Sequence, residues 1–474
     1  MEIGVKTLIK NSGILVLSNA SLKAISFFLL PLYTNVLPPE AYGASDTILN
    51  ASTLMAALFS LSLDWGMNTY FYEQNNDSFY RKVTSSGMFY FMLGSLGCLS
   101  CVFFSGQISV FLLKDTDYKF AVTLGIMSAC IKLIYFSQRV STRMRGRLDM
   151  VGIFSVAELL FTLLCNVFFI LICHMGYISI LWSNLIGQGV VAFLYTVDAR
   201  HYLSAKAIDF ALLKKMMAYS IPITPTLLFD WINNCLDRYF IGYYFSQADV
   251  GLYGIGARIV GILSVMTGAF LSAYPSFAYA NAKKSENRAQ YGMVMDFLVM
   301  GLSIIAAAVT LFSREIVHVM TAEEYHSAYK VVGILLYAHI VHVLGVVAGY
   351  GVTIQKKGIL YLRISGMGAL INIVANACLV PEYSYQGAAA ATLITEVIMF
   401  FISYRYSCRL FDCGYNLMKI VFCIVVSLGT SYGAVLLVFP MKIAAFIGIS
   451  AVTGMIYRDR VIYLWKYLRT IKKG

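Results

Sequence analysis

The chain alternates long apolar runs with short polar breaks, and most of the runs are too long for the core helices of a soluble domain. A membrane-spanning helix needs about 20 largely apolar residues. Runs of that kind fall at 12–36, 44–70, 83–105, 119–139, 149–174, 177–199, 213–245, 250–279, 291–313, 328–354, 358–380, 385–410, 416–438 and 441–457. The pattern predicts an all-α polytopic membrane protein with about fourteen transmembrane helices. Every connection is short, which leaves no extramembrane domain. The first run follows Lys6 and Lys10 as a secretory leader would, yet it is long enough to span and no small-residue cleavage site follows a short apolar core. It reads as a retained first helix.

Composition agrees: 59% of the residues are hydrophobic and 13% charged, against about 25% charged in a soluble domain. The net charge of +12 would suggest nucleic acid until the cations are placed. Loops on the N-terminal side hold 26 Lys and Arg, loops on the opposite side hold 5, and 5 more lie inside spans. That bias follows the positive-inside rule and sets both termini in the cytoplasm, so no nucleic-acid partner is implied. The run RVSTRMRGR (139–147) belongs to the same topology signal. Most of the ten Cys sit singly in apolar runs and act as small hydrophobes. Cys98 and Cys101 form a CxxC without the second pair that a zinc site needs. With no phosphate-binding loop and no HExxH, neither a metal nor another cofactor is expected.

A shift of 208 residues lays runs one to six on runs seven to twelve. Gly125-Ile126 falls on Gly333-Ile334, Tyr177 on Tyr385, and the loop Glu40–Gly43 on Ala248–Gly251. Six helices is an even number, so the two copies enter the membrane from the same side as parallel repeats. The expected organisation is a lobe at 1–205, a second lobe at 206–410, and two C-terminal helices with a basic tail at 411–474.

Charges stand deep inside these runs: Lys23, Glu158, Asp230, Asp237, Arg238, Arg258 and Glu396. A charge at mid-bilayer costs roughly 2.5–3.5 kcal/mol on insertion scales and marks a functional site by default. Asp230, Asn233, Asn234 and Asp237 share one helix face, which either lines a cavity or holds the bundle together. Asn19 and Lys23 share a face of the first run; Lys23 lies about 16 Å from its cytoplasmic end and meets an acid such as Asp230 or Glu158, a wet cavity or an anionic ligand. Arg258, Arg238, Arg363 and Lys132 are further cations suited to phosphate or to a neighbouring acid. Buried carboxylates at Asp230, Asp237, Glu158 and Glu396 suit H⁺ or Na⁺ carriage. Asp296 falls near a cytoplasmic end, within reach of water, and His339 and His342 lack a third metal ligand.

Three strings carry a resemblance. FFLLPLYTNVLPPEAYGASD (27–46), LDRYFIGYYFSQADVGLYGIGARI (236–259) and YQGAAAATLITE (385–396) resemble the polysaccharide-transport family, the Wzx-type O-antigen flippases. That family belongs to the superfamily of multidrug and toxin extruders and the lipid II flippase. The resemblance covers residues 10–410 and implies two six-helix lobes around an alternating-access cleft. It implies no enzyme activity but transport of an undecaprenyl-pyrophosphate-linked oligosaccharide, with Lys23 and Arg258 holding the pyrophosphate. It places the chain in the bacterial inner membrane, among membrane lipids, beside a polysaccharide polymerase and a chain-length regulator. Lipid II flipping, drug or cation export on the same fold, and a membrane glycosyltransferase are the competing readings. The last would need acids in an outer loop, where Glu315, Glu323 and Glu324 stand in a short segment.

Overall fold

The computed structural model describes residues 29–463 apart from 72, 75, 282–287, 356–357 and 412–413. Its contacts gather into two compact units, 1–254 and 255–474. The first unit runs through α1 (Leu30–Val36), α2 (Pro39–Ser60), α3 (Leu63–Tyr70), α4 (Asp77–Ser100), α5 (Ser105–Leu113), α6 (Lys119–Met144), α7 (Leu148–Val167), α8 (Ile178–Ala199), α9 (Phe210–Ser220) and α10 (Thr224–Tyr244). It also takes the start of α11 (Gln247–Asn281). The second unit holds the rest of α11, then α12 (Arg288–Leu311), α13 (Ser313–Met320), α14 (Tyr329–Ala348), α15 (Tyr350–Ile354), α16 (Gly358–Leu410), α17 (Leu417–Gly433) and α18 (Phe439–Ile456).

Helix is the form in which a chain satisfies its backbone groups in lipid without a partner strand. Among the described residues nine helices are long and apolar enough to cross a membrane, and the bent pair α2–α3 makes ten. The three charges of α10 keep it out of that set. α16 would be about 80 Å long if straight, far more than a bilayer. Its backbone breaks at Ser384 (φ 49°, ψ −135°). Gly387 then packs so close to Leu379 that a Cβ would lie 2.3 Å from the Leu379 carbonyl oxygen. α16 is therefore two spans joined by a tight turn, as the break between runs 358–380 and 385–410 anticipates. Phe103, Phe111, Val319 and Met418 are each at least 80% exposed, a surface that suits lipid rather than water. The protein is a multi-pass membrane protein.

Two features of the first unit set its interior. α2 and α3 meet at a 50° bend, where Leu61 and Ser62 both adopt left-handed backbone (φ 44° and 55°). Side chains strain that conformation by about 1–3 kcal/mol per residue. Gly66 on α3 then packs against α9, its amide donating to Ser220 Oγ (3.0 Å). At the other end of α2, the helix starts of α2 and α11 cross in near backbone contact. A Cβ on Gly43 would lie 1.8 Å from Gln247 O, and one on Gly251 would lie 2.3 Å from Pro39 O. Gln247 and Gly251 stand 208 residues after Pro39 and Gly43.

In the second unit, α17 and α18 pack on α12. Ser427 Oγ donates to Ser303 O (3.2 Å), and Tyr337 OH meets Ser427 Oγ (2.5 Å). Ion pairs clip both ends of this assembly: Lys442 to Glu315 (2.6 Å) and Arg460 to Asp296 (2.9 Å). Burial alone would raise the Glu315 carboxyl, but the bonded Lys442 ammonium holds it below the usual carboxylate range. Asp296 was expected to be wet; it is 9% exposed and has Arg460 as its counter-ion. Lys442, read from the sequence as a loop cation, lies in the first turn of α18 at 1% exposure.

The helix-start crossing yields a prediction. Gly43→Ala or Gly251→Ala places a methyl inside a backbone contact and costs at least the roughly 1–3 kcal/mol of core overpacking. Gly189→Ala, where the added carbon meets nothing within 4 Å beyond its own stretch of helix, avoids that cost. Thermal melting of the detergent-purified protein checks both, and equal melting temperatures across the three variants would refute the account.

Candidate functional site

The polar stripe of α10 changes environment along its length. Asp230 and Asn234 are exposed, Asn233 is half-buried, and Asp237 is 1% exposed. The stripe is thus open toward the basic-loop side of the membrane and sealed toward the other. At the sealed end Tyr253 OH donates to Asp237 Oδ2 (2.5 Å).

Arg238, beside Asp237, pairs with Asp46 on α2. Its Nε donates to Asp46 Oδ2 at 2.5 Å, and the two side chains are 12% and 13% exposed. Arg238 Nη1 also donates to Asn234 O (3.1 Å), and the guanidinium carbon lies 5.5 Å from the centre of the Tyr253 ring. Around this pair, two side-chain bonds to backbone tie α10 to α2, and one bond between side chains ties α2 to α11. Trp231 Nε1 donates to Asn50 O (3.2 Å) and Tyr239 OH to Thr47 O (3.2 Å). Thr47 Oγ1 donates to Gln247 Oε1 (3.1 Å). An unpaired guanidinium at this depth would carry its full desolvation penalty, so the pair and its bonds make a clasp of α2, α10 and α11.

The other candidates divide between two places. In the first unit Lys132 on α6 is half-buried, and its Nζ reaches Thr53 Oγ1 (3.5 Å). Glu158 on α7 lies within electrostatic range of Lys132 and Arg139. In the second unit Glu396 on α16 bonds to His342 Nδ1 on α14 through both oxygens (3.1 Å each), with the carboxylate 19% and the imidazole 49% exposed. One turn away His339 Nε2 meets Thr267 Oγ1 of α11 (2.9 Å). Arg258 is half-buried on α11, within electrostatic range of Tyr325. Arg363 is exposed near the start of α16. Lys23 and Asn19 lie outside the described residues.

Two partners escaped sequence reading. Asp46 sits in a string noticed only for its resemblance, yet the 208-residue shift lays it on Gly254, and a Cβ there would lie 3.4 Å from Asp46 Oδ2. The sequence signal for Asp46 was thus the small residue opposite it. His342 was visible as half of an i, i+3 pair, but Glu396 is 54 residues away and no local pattern joins them. A hydrogen-bonded acid and imidazole can exchange a proton. The described residues hold no group of three or more metal-ligating side chains.

Comparison with known proteins identifies the fold and the family. Over 97% of this chain and 100% of that one, the fold matches "Lipid II flippase MurJ, inward closed conformation" with a TM-score of 0.71 at 13% identity. It matches an inward-facing multidrug resistance MATE family transporter of the MOP superfamily over 85% of this chain and 95% of the other, with a TM-score of 0.64 at 12% identity. These likenesses give the fold. In sequence, the chain is 23% identical over 273 residues to the "Probable low-salt glycan biosynthesis flippase Agl15" of Haloferax volcanii, covering 56% of this chain and 57% of that one. A family profile described as "Polysaccharide biosynthesis protein" matches residues 34–330, more than half of the chain, and the chain belongs to that family.

Proposed function

We propose that the protein is a flippase that carries lipid-linked oligosaccharide across the bacterial inner membrane, both termini facing the cytoplasm. The observation that carries this reading is the family match over residues 34–330. The proposed substrate is an undecaprenyl-pyrophosphate-linked repeat unit of an O-antigen, capsule or exopolysaccharide, handed on the far side to a polymerase and its chain-length regulator. A sugar head group cannot cross hydrocarbon unaided, since each unsatisfied hydroxyl costs several kcal/mol. The polar face of α10, open on one side and sealed on the other, supports alternating access, with the α2–α10–α11 clasp as the outer closure. Lys23 and Arg258 would anchor the pyrophosphate, with 1–205 and 206–410 as the two lobes of the transporter. Asp230, Asp237, Glu158 and the Glu396–His342 pair are the proposed sites of H⁺ or Na⁺ coupling.

Flipping of defined lipids in proteoliposomes tests the reading. Diphosphate-linked oligosaccharides should cross, and drugs should not. Transport of lipid II alone would move the function to peptidoglycan. Lys23→Ala with Arg258→Ala should abolish flipping while the protein inserts at normal levels; full flipping by the double variant removes them as anchors. Glu396→Gln or Asp230→Asn should change the dependence on an imposed H⁺ or Na⁺ gradient, and unchanged dependence in both excludes them from coupling. Asp46→Asn strands the Arg238 charge at a cost of about 3–5 kcal/mol, whereas Asp46→Leu with Arg238→Met restores most of it. Melting temperatures decide this, and a single variant as stable as the parent overturns the clasp.

A further inference from the structure

One seam inside the second unit is polar from end to end. On α12, Asp296, Ser303 and Thr310 recur every seven residues, so they share a face. Cys423, Ser427 and Ser431 recur every four along α17, and Ser450, Thr453 and Tyr457 follow at steps of four or fewer at the end of α18. All of these are buried except Ser450, which is half-buried. Bonds join the three faces. Cys423 Sγ donates to Ser303 Oγ (3.6 Å) and lies 3.9 Å from Thr453 Oγ1. Tyr337 OH of α14 meets Ser427 Oγ and Ser431 Oγ (2.5 and 3.2 Å). The Lys442–Glu315 pair closes one end of the seam and the Arg460–Asp296 pair the other.

Four buried hydroxyls on or beside this seam have no hydrogen-bond partner among the described residues: Thr310 Oγ1, Ser313 Oγ, Ser450 Oγ and Tyr457 OH. They fall next to the bonded groups. Thr310 sits against α14, where a Cβ on Gly333 would lie 2.6 Å from its Cγ2, one turn from Tyr337. Ser313 opens α13, two residues before Glu315. Tyr457 lies within electrostatic range of Asp296 and Cys423.

A hydroxyl buried dry and without a partner is costly, and hydrocarbon supplies no partner. Buried polar groups that the protein leaves over are met by internal water, which takes two to four polar neighbours. Ser and Thr can turn back to their own helix backbone, but a tyrosine hydroxyl cannot reach it, so Tyr457 calls most directly for an outside partner. The acid at each end of the seam already has its cation, which leaves no net charge there for a metal ion or an anion to answer. The spare groups are neutral hydroxyls that both donate and accept, the chemistry that suits water. We propose that the seam between α12, α14, α17 and α18 is a binding site for a file of internal water, held by Thr310, Ser313, Ser450 and Tyr457. The α17–α18 pair is then joined to its unit by a wet seam beside the apolar contact of Ala307, Leu311, Ala434 and Ile449. The file is separate from the Glu396–His342 pair, since Tyr337 and His342 point about 140° apart around α14. It does not rest on the proposed function.

The test is radiolytic hydroxyl labelling of the full-length protein in nanodiscs, read residue by residue by mass spectrometry. Radicals formed from internal water oxidise the side chains that touch it, whereas side chains in dry packing stay unmarked. Tyr457 should be oxidised at least tenfold faster than Phe91, which is as deeply buried in the first unit. Labelling of Tyr457 no faster than that of Phe91 overturns the file. Two variants of unchanged shape add a sign. If the orphan hydroxyls are dry, deleting one removes a burden, and Tyr457→Phe or Thr310→Val melts higher than the parent. If each is bonded to water, deletion loses those bonds, and both variants melt lower. A variant that melts at or above the parent overturns the proposal. The labelling arm uses the unaltered protein, so it decides even where a variant fails to fold.

Discussion

The ion pair of Arg238 with Asp46 is the contact on which the first unit depends. A guanidinium in an apolar span can stay charged only if an acid meets it with good geometry, and removing one partner leaves the other stranded. The 2.5 Å contact between side chains that are 12% and 13% exposed therefore fixes the distance between α2 and α10. The remaining bonds follow from that distance. Trp231 and Tyr239 reach backbone carbonyls of α2 because the pair holds the helices there, and Thr47 then meets Gln247 at the start of α11.

Much of the helical architecture was legible in the sequence, because the bilayer imposes a length on each span. The break in α16 fell where the apolar runs at 358–380 and 385–410 part. Asp237, Arg238 and Glu396 were visible as charges, since each interrupts an apolar run. What the sequence hid was pairing. Asp46 lies 192 residues from Arg238, and Glu396 lies 54 from His342. Helical periodicity reaches only a few residues and cannot connect them. Depth was hidden for a different reason. Asp296 and Lys442 look like residues at wet helix ends, but the helices that cover them, bringing Arg460 and Glu315, come from distant parts of the chain.

The polar stripe on α10 is buried at its Asp237 end and exposed at its Asp230 end. On α2, the bend at Leu61–Ser62 turns α3 onto α9, while Asn68 keeps α3 on Arg143 of α6. Two side chains in left-handed backbone are costly, so the packing of Gly66 on Ser220 has to hold the bend in place.

The glycine crossing is reciprocal. Gly43 touches Gln247 and Gly251 touches Pro39, and each contact maps onto the other under the same shift of 208 residues. This is the reciprocal pattern of a two-fold interface, in which residue i meets j′ and j meets i′. A half-length chain bearing one copy of the motif could form the same crossing with a second copy of itself, and both glycines would then be encoded at a single position. In the single chain the two positions are separate, yet the backbones touch at both, so neither has room for a side chain.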